Sequence, residues 1–231
     1  MKMETEPCKH YGDEIVSLEL ISQHLLEGLN GTTVEQLAQA KSFFPTFWVM
    51  LLCRSVDIFL TYLTELLGLI YKTRPEALRS NEKLSYEEIL SCQNFDELVH
   101  VMIEERVDSL SYKGFSKLHN DIQEKLGLVL FETNVGFSKA NLIVELRNVF
   151  VHNRGMISRR FQERVPNHPA QIGEQIIPVP VEMLGHSIFL LDSVMDIDAR
   201  AIAKFGLPNQ PRVPRPSIPS LPHFTFTKFT S

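Results

Sequence analysis

At 231 residues, 44% of them hydrophobic and 22% charged, the chain has enough apolar mass for one domain with a real core. A formal charge of −5 excludes a body-wide affinity for nucleic acid, so any polyanion site must be a local patch. Three scattered cysteines, Cys8, Cys53 and Cys92, argue against a disulfide framework and fit a reducing compartment.

Residues 1–12 carry Glu4, Glu6, Pro7 and Lys9 and no apolar run, so a flexible terminus without a secretory leader is expected, on a cytoplasmic protein. Cys8 and His10 would be the start of a metal site, but two ligands in a mobile terminus are too few. Residues 13–206 are expected to form one helical domain. Its first helix spans Asp13 to Leu29, where Ile15, Leu18, Ile21, Ser22, Leu25 and Leu29 recur at steps of three and four. Asn30-Gly31 ends it. Thr33 suits the cap of a second segment, Val34 to Phe44, and Pro45 suits the first turn of a long apolar helix to about Lys72. Arg54, Asp57 and Glu65 interrupt that helix, and its charge-free run Ser42–Cys53 falls short of the roughly 20 residues that a membrane span needs. A buried helix, and no membrane partner, is the reading.

Ser85 with Glu88 makes a capping-box pattern for a short helix Tyr86–Ser91. Another helix starts at Asn94 or Asp96 and runs to about Leu110, and Gly114 breaks the chain. A helix Ser116–Leu126 stops at Gly127. Lys139 to Val151 is strongly periodic through Leu142, Ile143, Leu146 and Phe150. Ile172 to Val181 is β-branched and proline-punctuated, which suggests a small hairpin or extended insertion. Glu182 to Phe205 returns to helix and ends at Gly206-Leu207-Pro208. Six prolines fall in Leu207–Ser231, with Arg212, Arg215 and Lys228 and no acidic residue, the composition of a disordered tail. Pro211 and Pro214 have the spacing of an SH3-type ligand, which a solvated tail also produces. The fold class is therefore all-α: an up-and-down helical bundle with a small insertion before its last helix.

One stretch carries chemistry: Arg147-Asn148-Val149-Phe150-Val151-His152. Asn148 and His152, four apart, share a helix face. Arg147 and His152, five apart, lie about 140° round an ideal helix and about 7.5 Å along it, a gap that an arginine can bridge. Asn153-Arg154-Gly155 reads as the helix end. A histidine there sees the negative end of the helix dipole and is suited to proton transfer near neutral pH. Arg154, Arg159, Arg160 and Arg164 follow, opposed only by Glu163, and arginine's planar fork is the natural partner of phosphate. Such a set suffices to cleave RNA without metal or cofactor, because the 2′-hydroxyl supplies the nucleophile.

This motif resembles the signature of the HEPN superfamily: an arginine, a polar residue directly after it, and a histidine after four to six intervening residues. Here four residues intervene and the polar neighbour is Asn148, followed by Asn153-Arg154-Gly155. The long helix with Asp57 and Tyr62 and the late Ile197–Ala201 helix are similar in style. The resemblance covers residues 13–206 and implies a HEPN-like bundle. It implies metal-independent RNA cleavage, with Arg147, Asn148 and His152 as catalytic residues. It also implies a homodimer with two motifs facing one cleft, and a toxin or phage-defence role, with an antitoxin as a further partner. Other members have lost catalysis and bind nucleotide, RNA or a protein. Asn153, Arg154, Arg159 and Arg160 are the candidate substrate-binding residues.

Plainer readings stand beside these. A histidine at a helix end is often a surface residue. The arginine run is also what a solvated loop carries. Arg147 has Glu145 and Asp57 as candidate partners. Asp57 lies in an apolar helix where an unpaired charge is costly. Arg54, three residues away, is its simplest partner; in a second reading Asp57 reaches across the bundle and orients Arg147. His100, His119, His168 and His186 show no ligand spacing, and no phosphate-binding glycine loop, nucleophile elbow or zinc-protease helix is present.

Overall fold

The computed structural model describes residues 3–28, 34–78, 86–111 and 114–211, and the side chains of 19, 21–28, 34–44, 88 and 108–111 lie outside that description. Within it the chain is mainly helical. The helices are α1 (Glu6–Gly28), α2 (Val34–Thr73), α3 (Tyr86–Ser91), α4 (Phe95–Ser111), α5 (Phe115–Leu126), α6 (Asn134–Asn153), α7 (Arg159–Arg164) and α8 (Pro180–Phe205). A 3-10 turn, Pro75–Leu78, follows α2. Two short strands, β1 (Met3–Glu4) and β2 (Gln210–Pro211), pair antiparallel.

The core is built around α2, which packs against α1, α4, α6 and α8. Leu52, Val56, Phe59, Leu63, Leu66 and Ile70 are fully buried at alternating steps of four and three, the spacing that keeps one stripe facing a partner helix. Tyr62, Leu67 and Tyr71 bury a second flank. Among its described side chains, Met50, Arg54, Thr61 and Glu65 face solvent along the middle of the helix, with Pro45, Thr46 and Lys72 exposed towards its ends. Among the described residues, Pro45–Thr73 is the one stretch long and apolar enough to cross a membrane by length and composition, and half of its apolar window is buried inside the fold. Helix α8 answers α2 with Met183, Leu190, Val194, Ile197, Ala201 and Phe205. The buried hydroxyls of Ser55 and Ser187, 2.9 Å apart, meet across the two helices and also bond Leu51 O and Met183 O, so neither is left unpaired.

The start of the chain differs from the expected flexible segment 1–12. Helix α1 begins at Glu6, and Cys8, Tyr11 and Ile15 are buried. Thr5 caps it: its hydroxyl oxygen accepts from the Cys8 N–H at 3.3 Å. Thr5 is itself held by Asp198 of α8, which is 1% exposed. The carboxylate accepts the Thr5 amide (2.9 Å), the Thr5 hydroxyl and the Tyr62 hydroxyl (3.4 Å). The other end is likewise ordered past Leu207, which is buried, to the β1–β2 pair. The proline-rich segment 212–231, like the expected caps Thr33 and Ser85, lies outside the described residues.

Pro45 does not start a helix; α2 runs through it from Val34. The helix expected from Lys139 begins earlier, at Asn134, where the Thr133 hydroxyl accepts from the Gly136 N–H at 3.1 Å. Thr133→Ala is expected to lower stability by about 1 kcal/mol in chemical denaturation, whereas Thr133→Ser, which keeps the acceptor, is expected to restore it. Helices α3 and α5 lie close to their expected spans, and α5 and α8 stop at the left-handed glycines Gly127 and Gly206.

Candidate functional site

Helix α6 ends as its sequence requires. Arg154 takes a left-handed conformation (φ 53°), Gly155 follows at φ 82°, and both the Arg154 and Gly155 N–H groups bond Val149 O. A side chain at Gly155 would be strained by that φ and would lie 3.3 Å from Ile176 O. The chain then pairs with a later segment: Ile176 N–H to Gly155 O, Ile157 N–H to Glu174 O and Gly173 N–H to Ile157 O, each 2.9 Å. Of the hairpin or extended segment expected at 172–181, the hairpin is not formed: the segment pairs with the exit from α6 through an isolated antiparallel bridge, Met156 with Gln175.

Between these two segments lies α7, which the arginine run concealed. Ser158 caps it by accepting from the Phe161 N–H at 3.2 Å, and Phe161 is buried. Arg159 and Arg160 are exposed on this short helix. Arg164 is not part of a solvated loop: its Nη1 donates to Glu145 Oε1 at 2.7 Å, and its carbonyl accepts from Asn141 Nδ2 at 2.9 Å.

Arg147 faces α2. Its Nε and Nη2 lie 3.0 and 2.7 Å from Asp57 Oδ1, so Asp57 pairs across the bundle with Arg147, while Arg54 turns to Glu14. Asp57 is 39% exposed and Arg147 25%, which places the pair at the surface end of the helix contact. Arg147 Nη1 donates to Asn148 Oδ1 at 3.3 Å, and Asn148 Nδ2 donates to Glu145 Oε2 at 3.3 Å. Cys53, one turn before Asp57, lies beside this pair. Burial pushes its thiol pKa up, the Arg147 charge opposes that rise and the Asp57 charge adds to it.

His152 occupies the last turn of α6 and is exposed, as are Asn153 and Arg154. No hydrogen bond or ion pair ties the His152 ring to another described residue. The structure therefore brings Arg147, Asn148 and Asp57 into one bonded cluster, with His152, Asn153 and Arg154 following at the same helix end. Arg159 and Arg160 are exposed on α7, which packs on α6.

The remaining described histidines have structural surroundings. His119 is buried with its ring 4.3 Å from that of Phe137, His168 packs edge-on against Phe161 and accepts the Ala170 N–H, and His100 lies 3.2 Å from Glu104. Burial and Lys139 hold His186 below the usual histidine pKa range. Cys8 points into the core and His10 lies between Glu6 and Glu65, so these two do not converge. Among the described residues no three His, Cys, Asp or Glu side chains are placed to hold a metal ion.

The fold is a mainly helical one that bonds Arg147, Asp57, Asn148 and Glu145 together and carries an exposed His152 in the last turn of the same helix. No family model, no curated protein and no solved structure matches the chain.

Proposed function

We propose that the chain is a metal-independent endoribonuclease of the HEPN type. One observation carries the reading: Arg147, fixed by Asp57 and Asn148, stands on the same helix end as an exposed His152 with no competing partner. In this mechanism the 2′-hydroxyl oxygen bonds to phosphorus as the bond to the 5′ oxygen breaks. His152 is the general base or acid for the proton leaving the 2′ oxygen or arriving at the 5′ oxygen. Arg147 stabilises the charge on the phosphorane oxygens, and Asn148 positions. Two of the five guanidinium N–H groups are engaged in hydrogen bonds, with Nη2 also paired with Asp57, and the others are the donors this reading assigns to phosphate. Arg154, Arg159 and Arg160, with Asn153, hold the RNA backbone. The setting is the cytoplasm, as a toxin or phage-defence effector with an antitoxin as partner.

The site is shared by a homodimer in this reading. Val151, Met156, Ile172, Ile177, Val179 and Val181 are exposed apolar side chains around the exit from α6, and a second copy is what covers them. Sedimentation at micromolar concentration is expected to give a dimer. Val151→Lys with Ile177→Lys is expected to give monomers that have lost cleavage. A monomeric wild type would remove the shared-cleft arrangement.

The deciding experiment is incubation of the purified chain with RNA in EDTA. Cleavage is expected to persist and to leave 2′,3′-cyclic phosphate or 3′-phosphate ends. No cleavage, or cleavage abolished by EDTA, would favour the second reading, a non-catalytic module that binds nucleotide, RNA or a protein. That reading is favoured by the same Asp57–Arg147–Asn148 bonds, since all three guanidinium nitrogens already have a partner.

A further inference from the structure

Glu145 is a carboxylate only 4% exposed, two residues before Arg147 on α6. A buried charge of this kind is costly unless each oxygen is matched by a donor. Its two oxygens are divided: Oε1 accepts Arg164 Nη1 at 2.7 Å, and Oε2 accepts Asn148 Nδ2 at 3.3 Å. The division has a directional consequence. An ionised carboxylate only accepts, so it admits one orientation of the Asn148 amide. The NH2 must face Glu145, and Oδ1 must then face outward, where it accepts Arg147 Nη1 at 3.3 Å. Turned over, the amide would set oxygen against carboxylate and NH2 against guanidinium, two repulsive contacts in place of two bonds.

The same carboxylate holds α7. Arg164 is tied to α6 at two points one helical turn apart, its guanidinium at Glu145 and its carbonyl at Asn141. Asn141 is braced in turn by the Ser116 hydroxyl at 2.8 Å. The opposite end of α7 presents Arg159 and Arg160 to solvent.

We propose that Glu145 is the positioning residue of this site. It sets which atom of Asn148 meets Arg147, and through Arg164 it registers α7 and its exposed arginines on the motif helix. The inference rests on the ribonuclease reading for its kinetic consequences but not for the geometry it predicts.

The test is Glu145→Gln, beside Asn148→Ala and the double variant. A glutamine keeps an acceptor at only one of the two positions that Oε1 and Oε2 occupy, and places an NH2 donor at the other. Arg164, the charged donor, retains the acceptor, and the glutamine NH2 then faces Asn148 and turns its amide over. Nitrogen-15 NMR is expected to show the Arg147 Nε–H and Asn148 side-chain signals shifted in Glu145→Gln, and both slow to exchange in the wild type. Cleavage by Glu145→Gln is expected to lose about tenfold in kcat with KM changed less than about twofold. The double variant should be no slower than Asn148→Ala alone, because both changes remove one interaction. Unmoved signals, or kinetic losses that simply multiply, would overturn the proposal. A wild type that does not cut RNA would overturn the ribonuclease reading instead, and the NMR comparison would still decide the positioning role. If Glu145→Gln does not fold, the wild-type spectrum decides: an Asn148 amide that exchanges freely with solvent is incompatible with a locked orientation.

Discussion

Replacing His152 by alanine is expected to slow RNA cleavage by about 10²–10⁴-fold, the usual worth of a positioned proton-transfer group. Stability should not change. His152 is exposed, lies in the last turn of α6 and bonds no described residue, so its loss creates neither a cavity nor an orphaned polar group. Circular dichroism melts of the two proteins should superimpose while their rates on one RNA differ. Arg147→Lys should also fail to restore cleavage. A lysine is a single point charge and cannot bond Asp57 and Asn148 together while offering a fork to phosphate. Full activity in His152→Ala would remove the proposed chemistry. Equal loss of melting temperature and rate would show that the ring has a structural role.

Asp198→Ala is expected to be the most damaging single change away from the site, costing about 2–4 kcal/mol. It leaves the Thr5 amide and the Thr5 hydroxyl in the core without their acceptor, and the Tyr62 hydroxyl with only Val194 O at 3.5 Å. The pH dependence adds a second test. Burial raises the Asp198 pKa above the ordinary aspartate value of 3.8, and the bonds from Thr5, Cys8 and Tyr62 only partly offset this. The neighbouring Tyr62 hydroxyl is pushed well up by the same burial and by the Asp198 charge, with Arg200 opposing. A carboxyl whose folded pKa lies above its unfolded one contributes most below the unfolded value, and that contribution fades as pH rises through the folded one. Relative to Asp198→Asn, the wild type should therefore lose urea stability as pH climbs from about 4 towards neutrality. Parallel profiles for the two proteins would show that Asp198 does not titrate across this range.

The elements that could be read from sequence are those whose signal is local. Apolar spacing located most of α1 and α6, and glycine marked the ends of α5 and α8, while the single helix α2 reads in sequence as two segments split at Pro45. The Arg147–His152 stretch was legible for the same reason, since one helix fixes its internal geometry. What failed depended on distant partners. The opening residues look polar and mobile because the group that orders them, Asp198, lies 193 positions away. Helix α7 hid behind the arginine run, and Phe161 beneath it with Glu145 and Asn141 beside it explain why it is ordered. Arg54 was Asp57's nearest candidate in sequence, yet the fold gives Arg54 to Glu14 and Asp57 to Arg147. Proximity along a helix named the available charges; tertiary packing chose among them.

The pairing of Met3 with Pro211 and Glu4 with Gln210 has a mechanical consequence. Adjacent strands lie about 4.8 Å apart, so the two ends of the folded body leave it side by side. Tension applied to them loads the clasp like a zipper, one bond at a time, and then falls directly on the Thr5–Asp198 contact. The same proximity favours circular permutation: a short linker joining residues 3 and 211 would span almost no distance, and new ends could be opened elsewhere without stretching the chain.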